Sequence, residues 1–181
     1  IGYRIESTSI VIAICHKQYH IVTRNILAVY LYFKIARHRC HNIFKYRNYQ
    51  VSSGGNPYAH AILRGGVDGS GADVPNFHYE TVMKLAQLYK GSKLQNPAII
   101  VDCNHSNSGK EFKQQIRIAH EVMNNRRFDE EFKTIVKGFM IESFLVEGNQ
   151  AHDDVFGKSI TDPCLGWEDT KRLLFDIAEM V

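Results

Sequence analysis

From Val51 onward, short apolar runs alternate with amphipathic stretches. Tyr58–Leu63, Ala98–Cys103 and Val136–Ile141 have the length and aliphatic content of buried strands. Between and after them the period changes to that of a helix. Val82, Leu85, Ala86 and Tyr89 share one face and predict a helix over Glu80–Tyr89, stopped by Gly91. Phe112, Ile116, Ala119 and Met123 predict a second over about Lys110–Asn124, and Leu173, Ile177 and Met180 a third from about Glu168 to Met180. Ser52–Asn56 reads as a turn and Gly65–Gly71 as a glycine-rich loop. Strand–helix, strand–helix, strand–loop–helix predicts an α/β fold with a parallel sheet and right-handed crossovers.

Residues 1–50 do not share this order. They hold one glycine, no proline and six of the nine tyrosines, and neither a strand nor a helix period runs through them. Ser9–Ile14 and Ile26–Ile35 are apolar-rich but lack caps and turn signals. The chain therefore divides into a poorly specified segment, 1–50, and a patterned one, 51–181. Charge divides at the same place. Eight Lys and Arg stand against Glu6 in the first part, and fourteen against eighteen acids in the second, giving +7 and −4. A basic arm for nucleic acid is one reading, but the charges are scattered and carry no motif of stacking aromatics. Four cysteines lie far apart (Cys15, Cys40, Cys103, Cys164), which argues against a disulfide scaffold and for a reducing compartment. The apolar stretch Asn25–Phe33 is well short of the roughly 20 residues of a membrane helix. No secretory signal is recognisable and the chain begins at Ile1, so the expectation is a cytoplasmic protein or a fragment of one, with no membrane or nucleic-acid partner.

Candidate chemistry sits where the apolar runs stop. In parallel α/β folds the C-terminal strand ends face a common crevice, and functional side chains collect there. Arg64-Gly65-Gly66 follows the first run. Its guanidinium can grip phosphate or carboxylate, and its glycines can let an anion approach backbone N–H groups; a loop salt bridge is the equal alternative. His105 follows Cys103 by two residues, which on an extended strand places both on one face. Imidazole and thiolate suit a transition metal, while a buried histidine beside a small core cysteine is the plainer reading. Ser106–Lys110 offers a cap for the next helix. Glu142 ends an apolar strand, where a carboxylate is costly unless paired or bound to a metal. Glu147 and Asp162 add negative charge, Asp162 also being a candidate N-cap, and Lys158 is a phosphate contact or a solvated loop lysine.

Four segments together are more specific than any of these. Leu63–Gly66, Asp102–Ser108, Glu142–Gln150 and Gly157–Thr170 resemble, in order and spacing, the last third of class I 3-deoxy-D-arabino-heptulosonate-7-phosphate (DAHP) synthase. That family is a (β/α)8 TIM barrel. It condenses phosphoenolpyruvate with erythrose 4-phosphate at the entry to aromatic amino acid synthesis and is typically homo-oligomeric. Its divalent metal, of the Mn, Fe, Co or Zn class, is held by a Cys, a His, a Glu and an Asp. The resemblance implies that His105, Glu142 and Asp162 are metal ligands, the first two also catalytic. It implies too that Arg64 grips the phosphoenolpyruvate phosphate, with Lys158 as a further substrate contact. The family's metal-binding cysteine and its Lys-Pro-Arg-Thr loop have no recognisable counterpart; Cys103, read on one face with His105, is only a minor alternative for the thiolate ligand. The expectation is an incomplete barrel, its last three strands with their helices, with negligible synthase activity by itself. The competing reading is a non-catalytic truncated or pseudogene-derived fragment.

Overall fold

The structure, a computed structural model, describes residues 11–13, 43–46, 48–52, 60–91 and 97–181. In chain order it begins with β1 (Val11–Ala13), the antiparallel pair β2 (Ile43–Tyr46) and β3 (Tyr49–Ser52), and β4 (Ala61–Leu63). A small antiparallel pair follows, β5 (Gly66–Val67) with β6 (Asp73–Val74), and then helix α1 (Tyr79–Lys90). β7 (Ile99–Asp102) leads through α2 (His105–Ser108), α3 (Gln114–Phe128) and α4 (Glu130–Ile135) into β8 (Val136–Met140). The parallel pair β9 (Val146–Asn149) and β10 (Lys158–Ser159) precedes the last helix, α5 (Trp167–Glu179).

The main sheet is parallel throughout, in the order β1–β8–β7–β4. The three apolar runs form adjacent strands, and β1 adds a fourth beside β8 that the periodicity did not anticipate. Burial explains the composition of the strands. Leu63, Ile99, Val101, Val136 and Phe139 are buried against apolar residues of α1, α3, α4 and α5 in one core. Lys137 interrupts β8, and the register slips there: Ile99 faces Val136 and Ile100 faces Gly138. The bulge leaves Lys137 exposed without displacing its apolar neighbours.

The helices show where local pattern suffices. Val82, Leu85, Ala86 and Tyr89 form the buried face of α1, as their spacing predicts. Gly91 ends this helix in a right-handed conformation (φ −75°), so no left-handed glycine cap forms. The stretch expected as one helix over Lys110–Asn124 begins later, because His105, Gly109 and Lys110 all have positive φ and break the chain into a single turn before α3. Ser106 and Ser108 therefore do not cap α3; the Ser108 hydroxyl bonds Asn104 Oδ1 at 2.9 Å instead. The buried stripe of α3 is also rotated from the expected one. Gln115, Ile118, Ala119, Val122, Met123 and Arg126 are buried, while Phe112 and Ile116 only pack against the core edge. Arg126 turns inward to donate to the carbonyls of Lys133 and Val136.

The turn expected at Ser52–Asn56 lies beyond Ser52 outside the described residues, as do Tyr58 and Ala59, Asn25–Phe33, Cys15 and Cys40. Among the described residues, no helix is long and apolar enough to cross a membrane, and Cys103 and Cys164 are not disulfide-bonded.

Candidate metal centre

The sheet aligns three strand ends. Leu63 faces Val101, which faces Phe139 on the other side, and Asp102 faces Met140. Arg64, Asp102 to His105, and Glu142 therefore leave the sheet side by side. At the end of β7 the chain turns sharply: Asn104 is followed by His105 with φ 51°, a left-handed value rare for a side-chain-bearing residue. The turn folds the imidazole back over the strand end. Asp102, fully buried, accepts from His105 Nδ1 through Oδ2 at 2.9 Å and from the Asn104 N–H through Oδ1 at 2.9 Å. That bond directs Nε2 toward Glu142 Oε1, 3.2 Å away, and Asp162 Oδ2, 3.7 Å away.

Glu142 is fixed through its backbone. The buried Gln115 side chain accepts its N–H at 2.8 Å and donates to its carbonyl at 3.1 Å, continuing the pairing that β8 has just given up. Asp162 arrives because the chain doubles back. Leu165 N–H donates to the Glu142 carbonyl at 3.0 Å, and Gly148 and Cys164 exchange backbone bonds of 2.8 and 3.2 Å. These contacts bring residues 162–165 alongside 142–148. Asp162 is thus no N-cap; Gly166 occupies that position of α5.

One ligand atom each from His105, Glu142 and Asp162 lies within 4.8 Å of the other two. Ligands of a single first-row ion at metal distances near 2.0–2.2 Å stand about 3–4 Å apart, so this group needs little closure to surround a cation. Electrostatics favour one. Three carboxylates (Asp102, Glu142, Asp162) crowd around one imidazole, with Arg64 Nε 3.8 Å from Asp102 Oδ2. Burial raises the Glu142 carboxyl above its ordinary range, the charges of Asp102 and Asp162 add to this, and His105 and Asn104 oppose it. Burial alone would lower His105, but the Asp102 hydrogen bond and charge and the Glu142 charge outweigh it and raise the imidazole. One nitrogen and two oxygens at this spacing are donors that fit a divalent metal.

The other sequence candidates are placed as follows. Arg64 is mostly buried; it faces Asp102, and its buried Nη1 has no hydrogen-bond partner among the described residues. Both the ion-pair and the anion-grip readings of Arg64 thus retain a basis. Gly65 serves a different purpose from the expected one. Its N–H donates to Asn76 Oδ1 at 2.8 Å, and a Cβ there would sit 2.7 Å from Asn107 N and Ser106 C, so the missing side chain admits the backbone of α2. Cys103 does not share a face with His105, because the strand stops at Asp102 and the chain turns. Its fully buried sulfur belongs to the core, and burial followed by the Asp102 charge pushes its thiol well up, away from the thiolate a ligand requires. Lys158 lies on β10 with its side chain over Gly148, and the structure gives its ammonium no ion pair with the cluster. Asp102, Asn104 and Gln115 carried no assigned role in the sequence. For Asp102 the available signal was a carboxylate closing an apolar strand three residues before a histidine.

Comparison with known proteins places the chain in a family. The family model described as "DAHP synthetase I family" matches residues 15–175, beginning well before Val51. Phospho-2-dehydro-3-deoxyheptonate aldolase of Haemophilus influenzae is 40% identical over 136 residues, covering 72% of this chain and 35% of that protein. The Phe-sensitive enzyme of that name from Escherichia coli is 40% identical over 137 residues, covering 72% and 36%. The chain thus spans about a third of the length of the curated relatives it matches. The solved structure of phospho-2-dehydro-3-deoxyheptonate aldolase from Francisella tularensis superposes with a TM-score of 0.73 at 29% identity, covering 88% of this chain and 46% of that one. On these matches, this chain belongs to the DAHP synthetase I family.

Proposed function

We propose that this chain carries the metal-binding and phosphate-gripping portion of a DAHP synthase site, for condensing phosphoenolpyruvate with erythrose 4-phosphate. The observation that supports it best is the convergence of His105 Nε2, Glu142 Oε1 and Asp162 Oδ2 near Arg64, whose buried Nη1 has no hydrogen-bond partner among the described residues. His105, Glu142 and Asp162 would hold a divalent ion of the Mn, Fe, Co or Zn class. Bound there, such an ion supplies Lewis-acid polarisation of a carbonyl or an activated water.

The remaining work falls to the side chains. Arg64 offers a planar fork to the phosphoenolpyruvate phosphate, its buried Nη1 being a donor that an anion would satisfy. Lys158 would meet a phosphate group from the rim, so that two anchored substrates face each other in a fixed geometry. The four-stranded parallel sheet fits an arc of a (β/α)8 barrel with its functional groups at the C-terminal strand ends. In the proposed assembly these 181 residues supply part of the site and the rest of a family-length barrel the remainder, in a homo-oligomer.

Two measurements test this reading. With manganese present, the chain should bind phosphoenolpyruvate in calorimetry, and Arg64→Ala should remove that binding; phosphoenolpyruvate binding indifferent to Arg64→Ala would contradict the assignment. Assayed with manganese and both substrates, the 181 residues by themselves should show negligible turnover, and robust turnover would overturn the claim that they hold only part of the site.

A further inference from the structure

The histidine and glutamate of the centre each have two atoms able to bind a cation, and buried neighbours engage one of the two in both residues. We infer that Asn104 and Asp102 form a positioning layer that selects Oε1 of Glu142 and Nε2 of His105 as the only atoms these residues present to the ion. The inference rests on the metal reading of the site given above.

Asn104 is buried, and its N–H and both side-chain polar atoms are engaged. Its N–H donates to Asp102 Oδ1 at 2.9 Å. Its Nδ2 donates to Glu142 Oε2 at 2.8 Å and to the Pro163 carbonyl at 3.4 Å. Its Oδ1 accepts from the Ser108 hydroxyl at 2.9 Å. The network fixes the orientation of the amide, since the opposite one would set an oxygen against both the Glu142 carboxylate and the Pro163 carbonyl. Ordinary helix capping does not account for the residue, because Asn104 precedes the four-residue α2 yet makes no side-chain cap bond.

A carboxylate free to rotate can close on a cation with both oxygens. With Oε2 held by Asn104, Glu142 presents Oε1, the atom 3.2 Å from His105 Nε2. Asp102 does the same for the imidazole: Oδ2 accepts the Nδ1 proton, which makes Nε2 the lone-pair nitrogen. The two selectors also hold each other through the Asn104 N–H. Neither touches the position an ion would occupy among the three ligands, so both are positioning residues. The nearby Pro163 contact extends the arrangement to the segment that delivers Asp162.

Cobalt(II) titration of the full chain, followed by its visible absorption, tests the inference. Asn104→Ala should weaken cobalt binding about ten- to a hundredfold. It should also lower the intensity of the visible bands, as Glu142 closes with both oxygens and the coordination number rises. Asp102→Asn, the same shape as wild type, leaves only one acceptor for two donors and should weaken binding by a similar factor. Circular dichroism of each variant checks that the fold is kept. Wild-type affinity and spectrum in both folded variants would overturn the inference while leaving the metal reading intact. A wild-type chain that takes up no cobalt would overturn the two together.

Discussion

Within the proposed centre, protons and a metal ion compete for the same atoms. His105 is raised from its ordinary value of 6.5 and Glu142 from 4.5, and each must lose its proton to act as a ligand. Metal affinity should therefore fall as pH falls, first through the raised His105 range and again as Glu142 protonates. Manganese dissociation constants measured from about pH 8 down to about pH 5 check this, and a flat profile would contradict it. The metal-free chain should show the opposite trend. For both groups the folded state binds the proton more tightly than the unfolded one, so each adds stability that is lost as pH rises through its folded pKa. Thermal melts without metal should rise from neutral pH toward mild acidity, before other carboxylates titrate. Gly65 supplies a separate test. Its φ of +75° and the backbone atoms of Ser106 and Asn107 at 2.7 Å from a built Cβ leave no room for a methyl group. Gly65→Ala should cost about 1–3 kcal/mol from backbone strain alone, read as a lower denaturant midpoint. Glycine at this position was legible, but its reason was not: the sequence pointed to an incoming anion, and the neighbour is the α2 backbone.

At the scale of elements, legibility followed the length and period of each segment. α1 and α5 are regular enough for spacing alone to mark most of their buried faces, and continuous apolar runs mark the three main strands, although Ile62 in β4 is exposed. α3 defeated the same method because two polar side chains occupy its buried stripe. Gln115 is drawn in to pair with the backbone of Glu142, and Arg126 to the carbonyls of Lys133 in α4 and Val136 at the start of β8. A period count that seeks apolar residues cannot see buried hydrogen bonding. α4, β9 and β10 carry from two to six residues each, and distant partners hold them in place. Gln115→Leu keeps most of the volume while removing both bonds to Glu142. It should destabilise the chain by about 1–3 kcal/mol in chemical denaturation, since the Glu142 N–H is left without that acceptor. It should also weaken metal binding by loosening the ligand. Unchanged affinity in Gln115→Leu would show that the backbone clamp does not matter to the centre.

For the molecule as a whole, the α/β character and the parallel sheet were legible, and so was the convergence of His105, Glu142 and Asp162, through motif order and not through any local signal at Asp162. The first fifty residues were not legible. They lack a period, yet the family match begins at residue 15 and Val11–Ala13 pairs with β8. Pairing in a parallel sheet depends on partners far away in sequence, and three residues are too few to announce it. The donor set is likewise a property of the whole molecule, since it joins the end of β7, the end of β8 and a segment folded back from before α5. Its most direct test is titration of the purified chain with manganese(II), followed by electron paramagnetic resonance, for wild type and His105→Ala. One tightly held ion per chain, lost in His105→Ala while the fold persists, is the predicted result. No uptake by wild type, or uptake that His105→Ala leaves unchanged, would contradict it.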